Sequence, residues 1–299
     1  MHRGIEALQI ANELIAKASF HNKETVLRNV IYRPIYKSSD MDFFQNTIDL
    51  FPDYMTWVSD DAELSVIDNG DVVGCVKYVN GCKVIHVPSY LQGLWEECKS
   101  LCGTGDIVWK QQEITSSLLQ DISDRYDIVI LTAGSGLFQN NNLLLNCSTE
   151  NKQDDAKNQY PVTLVRGQAL ELQYPKQHEA LLCGKYIVPT PNDSIIIGAT
   201  HEFKKDALTP KQVKQELKKY TYALNPKLWD DMETKECNVL EGVRVQSNRT
   251  PFGRLPIFGK VKCDGGYNDN MWYLTGLSSR GVLYHGLYGQ ELINEIFKD

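Results

Sequence analysis

"YLTGLSSRGVLYHGLYGQELINEIF", residues 273–297, decides the fold reading: an apolar strand enters a turn flanked by glycines, passes two serines and an arginine, and runs into a helix. A helix entered in this way presents unpaired backbone N–H groups and the positive end of its dipole, and both attract oxygen anions or polar carbonyls. The bend from Gly276 to Gly281 is therefore a candidate oxygen-binding site. A nucleophile elbow needs G-x-S-x-G. Here the order Gly276, Ser278, Ser279, Gly281 is one residue too long, and no Ser-His-Asp set surrounds it. An ordinary surface turn capped by Ser278 or Ser279 is the competing reading.

Working outward, composition bounds what the remainder can be. A chain of 299 residues with 42% hydrophobic content can bury one large core or two interleaved ones. The net charge of -7 and the lack of any basic stripe longer than "KQVKQELKKY" at 211–220 argue against a nucleic-acid surface. Cysteines at 75, 82, 98, 102, 147, 183, 237 and 263 include no C-x-x-C pair, so neither a zinc ribbon nor a redox dithiol is signalled. Reduced thiols and a cytoplasmic location are expected, or an organelle if a targeting segment preceded these residues. No apolar run approaches the roughly 20 residues that a membrane-spanning helix needs.

Along the chain, "GIEALQIANELIAKASF" has the apolar spacing of an amphipathic helix. The stretch 64–87 reads as a strand meander with tight turns at Asn69-Gly70 and Asn80-Gly81. "SYLQGLWEECKSLC" is expected to be a helix capped by Ser89, leading to a strand "DIVWKQQEI". In "RYDIVILTAGSGLF" the continuous apolar run Ile128–Leu131 predicts an interior strand of a parallel sheet covered on both faces, with a ligand or a plain glycine turn at Ala133–Gly136. Residues 146–159 are polar and read as an exposed mobile loop. "YPVTLVRGQALEL", "GKYIVPTP" and "SIIIGATHEF" predict strands of a second sheet, the last two joined across Asn192-Asp193. "TPKQVKQELKKYTYALNP" predicts a helix capped by Thr209 and ending near Asn225-Pro226. "NVLEGVRVQSNRTPFGRLPIFGKV" predicts a strand and a proline-rich irregular segment before the strand "MWYLTG".

Taken in order, "YDIVILTAGSGL", "PVTLVRGQALEL", "GKYIVPTPNDSIIIGAT", "EGVRVQSNRTPFGRLPIFG" and "YLTGLSSRGVLYHGLYGQELINEI" resemble the FAD-dependent amino-acid oxidoreductases of the D-amino-acid oxidase and glycine oxidase family. The likeness covers roughly residues 83–299, and the closing G-x-x-S-R-G looks most like the oxidase domain of the bifunctional enzymes that make 5-methylaminomethyl-2-thiouridine in tRNA. The resemblance implies an α/β (α+β) two-lobed fold. A Rossmann-like FAD lobe, incomplete at its N-terminus, would occupy about 83–140 plus 240–299, with the strand at 127–132 beside 271–275. An antiparallel-sheet substrate lobe would occupy about 43–82 plus 160–238.

The chemistry implied is hydride transfer from a carbon bearing an amine to the flavin, with molecular oxygen as the reoxidant and an amino acid or secondary amine as substrate. Ala133, Gly134, Gly276, Ser278, Ser279, Arg280, Gly281 and Ile114 match cofactor positions, and Arg244 in "EGVR" matches the arginine that pairs with a substrate carboxylate. Tyr186 joins Arg244 as a catalytic candidate, and Tyr186 and His201 are expected to line the pocket. For Arg244 and Arg280 a plain surface ion pair is the alternative, and for Tyr186 and His201 a packed residue with one hydrogen bond. The family's opening strand, G-x-G-x-x-G turn and ribose-binding acid have no counterpart in these residues, so a truncated chain that binds FAD weakly or not at all is expected. A non-catalytic homologue acting as a binding module is the alternative function.

Overall fold

The computed structural model describes residues 3–60, 71–103, 107–138, 160–174, 179–203, 206–233, 235–263 and 266–298. It separates into two compact units, one of residues 1–14, 104–165 and 243–299, the other of 15–103 and 166–242. Residues 83–103, expected with the lobe that contains the C-terminus, lie instead in the second unit. The expected turn at Asn69-Gly70 and the polar stretch 146–159 fall outside the described residues.

The second unit holds an eight-stranded sheet except for residues 162–165 and 243–247, which count with the first. Its strands in chain order are β2 (Ile31–Ile35), β3 (Met55–Trp57), β4 (Gly74–Tyr78), β7 (Val162–Gln173), β8 (Leu181–Cys183), β9 (Lys185–Pro189), β10 (Ser194–Gly198) and β11 (Asn238–Ser247). They lie side by side as β11-β7-β10-β9-β8-β2-β4-β3. β10 pairs antiparallel with β7 and with β9, closing the expected hairpin across Asn192-Asp193, while β2 runs parallel to β8.

Side chains alternate across such a sheet. Leu170, Leu172, Ile187, Ile195 and Ile197 point to one face, where Val213, Leu217, Leu228 and Trp229 of helices α5 (Pro210–Thr221) and α6 (Pro226–Asp231), with Met232 just after α6, bury them. Thr209 and Gln212 form a capping box at the start of α5, with Pro210 in its first turn. The helix stops at Thr221, short of the expected end, because Asn225 caps α6 with its own side chain on the Leu228 amide.

Elsewhere in this unit local signals were right about bends and wrong about partners. Gly81 has φ 80, the left-handed turn that Asn80-Gly81 predicts. The flanking strands nevertheless do not form a hairpin: β4 pairs with β2 and β3, and β5 (Val84–Ile85) pairs with β1 (Val26–Arg28). Helix α3 (Val87–Cys102) begins one turn earlier than expected, so His86 is its N-cap and Ser89 lies inside it, with its Oγ 2.7 Å from His86 Nδ1. A Cβ on Gly93 of α3 would stand 2.4 Å from the carbonyl oxygen of Ala18 in helix α1 (Gly4–His21), so only glycine permits this helix approach. Helix α2 (Met41–Leu50) completes the unit, with Phe44 packed on Ile35, Met55 and Val76.

The first unit holds a three-stranded sheet in the order β12-β13-β6, from β12 (Ile257–Cys263), β13 (Gly266–Thr275) and β6 (Val129–Leu131). β6 lies parallel to β13, Met271 opposite Val129 and Tyr273 opposite Leu131, and belongs to a different sheet from β7, as expected. The segment at 257–263, expected to be irregular, forms β12 against β13. One sheet face packs Val129, Leu131, Val261 and Met271 on Leu119 of helix α4 (Ser116–Arg125). The other packs Phe258 and Leu274 on Tyr284, Leu287 and Tyr288 of helix α7 (Gly281–Ile296).

Burial of β6 on both faces was expected. Val129 and Leu131 are buried with Leu119 of α4 and with Leu137 and Tyr160, but Ile128 and Ile130 are 36% and 38% exposed, because β6 is the outermost described strand of the sheet. The strand expected at 106–114 is absent from the described residues 107–114, where Val108 and Trp109 are 70% and 73% exposed. Thr115 then caps α4, accepting from the Leu118 amide. Asn270 fastens the far end of that helix by donating to the carbonyls of Ser123 and Tyr126.

Candidate functional site

Two places carry the residues singled out above, one in each unit. In the first unit β6 and β13 run parallel, so their carboxyl ends open on the same side, which is where ligands of parallel sheets sit. Ala133 and Gly134 follow β6 there, and the turn from Gly276 to Arg280 follows β13. Gly134, Ser278 and Gly276 take left-handed φ of 54, 56 and 73. At Gly276 a Cβ would press on Ser247 at 3.3 Å, so this glycine is needed to seat the turn against β11. The Ser278 amide donates to the Val245 carbonyl at 3.1 Å, which sets the turn beside Arg244, the neighbouring residue of β11.

Ser278 and Ser279 do not cap α7. Its N-cap position is Arg280, whose side chain makes no hydrogen bond to the helix, so among the described residues no N-cap side chain satisfies the first-turn amides. A Cβ on Gly281 or Gly134 would meet nothing within 4 Å. The Arg280 guanidinium lies under Gly253, and its buried Nη1 has no hydrogen-bond partner among the described residues. Arg244 is half-buried, and among the described residues no carboxylate pairs with it. The surface ion pairs held open for both arginines do not form among these residues. Ile114 stays on the exposed connection before α4 and is 37% exposed.

Deeper in α7, His285 Nδ1 donates to the Gly281 and Val282 carbonyls at 3.0 Å each. Burial pushes this imidazole below its ordinary value of 6.5, despite the opposing pull of those carbonyls. The unfolded chain therefore binds the proton first as pH falls through the mid-sixes, and stability present above that pH is lost towards the lower folded value. Thermal melts between pH 7 and pH 5 should show Tm falling with pH, and His285→Gln should flatten part of that slope.

In the second unit a cavity of about 680 Å³ opens on the sheet face opposite α5 and α6. Tyr186, Val188, Ile196 and Glu171 line it, each one residue out of register with the core-facing set on β9, β10 and β7. Leu240 of β11 and the stretch Lys83–Pro88 complete much of its wall. Tyr186 owes its position to Gly198, where a Cβ would stand 2.5 Å from the Tyr186 hydroxyl oxygen. His201 is outside this lining: it is exposed and meets Phe203 edge-on at 5.0 Å. Glu171, Ile196 and Leu240 were not singled out by sequence reading. Strand alternation was the available signal for the first two, since they are the residues of β7 and β10 that a core on the other face leaves over.

The family model described as FAD dependent oxidoreductase, DAO, matches residues 3–295. The chain belongs to the DAO family. Glycine oxidase from Bacillus cereus ATCC 14579 aligns with 99% of this chain and 80% of its own, at 15% identity and a TM-score of 0.66. Iminodiacetate oxidase from Chelativorans sp. BNC1 covers 97% of this chain and 78% of its own, at 14% identity and a TM-score of 0.66. L-alpha-glycerophosphate oxidase from Mycoplasma pneumoniae, dithionite-reduced with FAD bound, covers 97% and 80%, at 14% identity and a TM-score of 0.60. At these identities the likeness is one of fold: mixed α/β, with a large mixed sheet. A search of the curated proteins found no match.

Membership makes this chain an FAD-dependent oxidoreductase by resemblance, with FAD as the DAO cofactor. The residues present fit such a group: an uncapped helix start, two glycines open to a ligand, and a buried guanidinium nitrogen lacking an acceptor. The described cysteines are free, and no described helix is long and apolar enough to cross a membrane.

Proposed function

We propose that this DAO-family chain oxidises the C–N bond of an amino acid or secondary amine. The observation that carries the proposal is Arg244: a half-buried guanidinium on β11, without a carboxylate partner among the described residues, beside the turn into α7. A planar fork of donors in that state suits a substrate carboxylate, which it would hold bidentately. Two of the three structural neighbours described above, glycine oxidase and iminodiacetate oxidase, have names that support an amine substrate.

When bound, FAD supplies the acceptor for the hydride, with molecular oxygen as the final acceptor. The residues that would hold it are Ala133 and Gly134 after β6, Gly276, Ser278, Ser279 and Arg280 in the turn, Gly281 at the start of α7, and Ile114. The amides at Gly281 and after it would donate to the polar edge of the ring, where negative charge develops on reduction. In the second unit, Tyr186 would offer its ring and hydroxyl to an organic group in the cavity. Two-lobed division of labour, an FAD lobe and a substrate lobe, is part of the same proposal, as is a cytoplasmic location, which the free thiols support.

The test is direct. Purified chain supplied with FAD should show the flavin absorbance bands and release hydrogen peroxide with some member of a panel of amino acids and N-alkyl amino acids. A colourless, inactive protein across that panel would favour the non-catalytic module. Gly281→Val is expected to abolish the flavin spectrum while circular dichroism stays unchanged, since a Cβ at this position meets no described residue within 4 Å. A Gly281→Val protein that stays yellow would remove this turn from the cofactor site.

A further inference from the structure

We infer that the cavity of the second unit takes a bulky organic cation, an alkyl or aryl ammonium whose charge pairs with Glu171. Only the word substrate for that cation rests on the amine chemistry proposed above; the binding itself does not. Small-molecule sites span roughly 300–1,000 Å³, and a cavity of about 680 Å³ is far more than a two-carbon amino acid would fill. Its walls are mainly apolar, with Leu182, Val188, Ile196 and Leu240 among them, so the occupant that gains most from leaving water has an apolar body.

The charge is assigned by what Glu171 lacks. Its described partner is the Ser194 hydroxyl, donating at 3.4 Å, longer than a good O–H···O bond, and among the described residues no cation pairs with it. A carboxylate in an apolar wall favours an occupant that brings the opposite charge. The Tyr186 ring on the same face adds an electron-rich surface for a cation. Two basic residues, Lys83 and His86, also reach this cavity and make an anion the competing occupant. His86 Nδ1 is taken by the Ser89 hydroxyl at 2.7 Å, and Lys83 is already engaged, so neither is left waiting as Glu171 is.

Isothermal titration of the purified chain, without added FAD, would use three probes: 4-phenylbutylammonium, its near-isosteric carboxylate 5-phenylpentanoate, and glycine. The ammonium is expected to bind at least about tenfold more tightly than the carboxylate, and Glu171→Gln to remove most of that preference. Glycine should give no measurable heat. Ile196→Trp should abolish binding with the fold intact by circular dichroism, and Glu171→Gln, a partly exposed isosteric change, keeps the test valid if the tryptophan does not fold. Tighter binding of the carboxylate, or an affinity for the ammonium that Glu171→Gln leaves unchanged, would overturn the inference. Ammonium binding without oxidase activity on any amine would sink the proposed function and leave this inference standing. Oxidation of small amines by a chain that ignores phenylbutylammonium would do the reverse.

Discussion

Gly93→Leu is expected to destabilise the second unit by more than about 3 kcal/mol, beyond the usual range for overpacking, because the first added carbon already collides. That atom would stand 2.4 Å from the Ala18 carbonyl oxygen and 2.8 Å from two further backbone atoms, none of which is a flexible side-chain end. Helices α1 and α3 would have to separate, and a loss of this size is a large part of the roughly 5–15 kcal/mol that holds a domain together. For a unit of this size Tm should drop by roughly 6–12 °C or more, read by circular dichroism. Gly242→Ala, whose added methyl meets nothing, serves as the control and should melt with the parent. A Gly93→Leu protein that also melts with the parent would show that the helix approach carries no stability.

The largest expected effect on activity is at Arg244. Arg244→Ala removes the guanidinium proposed to hold the substrate carboxylate, a loss on the order of 2–5 kcal/mol when one partner of a buried charge pair is truncated. KM should rise by roughly 30-fold or more, with kcat changing less, since the contact is present before and during reaction. Arg244→Lys should recover part of the loss, because a point charge replaces a bidentate fork. A KM for Arg244→Ala equal to that of the parent would take the residue out of the substrate site.

The sequence made the strongly periodic elements legible and left the weak ones dark. α1, β7, β9, β10, the Thr209 cap and the strand-turn-helix at 273–297 follow from local patterns that tertiary packing did not need to override. Pairing was harder. Asn80-Gly81 fixes a left-handed bend, but whether the flanking strands meet depends on β1, β2 and β3, which lie far off in the chain. The run Ile128–Leu131 was read as doubly buried because four apolar residues in a row do not say how many faces are covered. "DIVWKQQEI" has strand-like composition and, where described, no strand beside it, and β propensity without a partner makes no sheet.

At the candidate site the turn glycines were visible in advance because backbone geometry demands them. Arg244 was visible through resemblance alone. Glu171 was not, because an acid on a strand looks like any solvated residue until the sheet shows that its face lines a cavity. The Ser278 and Ser279 capping reading failed because the helix begins at Gly281, which hands the N-cap position to Arg280.

The parallel pairing of Tyr32 with Leu181 has a consequence for how the chain is made. A ribosome that has released β2 must add roughly 150 more residues before β8 exists, which takes about 8–30 s at about 5–20 residues per second. Until then β2, with half-buried Ile31 and buried Ile35, has no neighbour on that side. The nascent chain must keep this strand from other chains during that delay, so yield in cells should rise with holdase chaperones more than with any change to the finished fold.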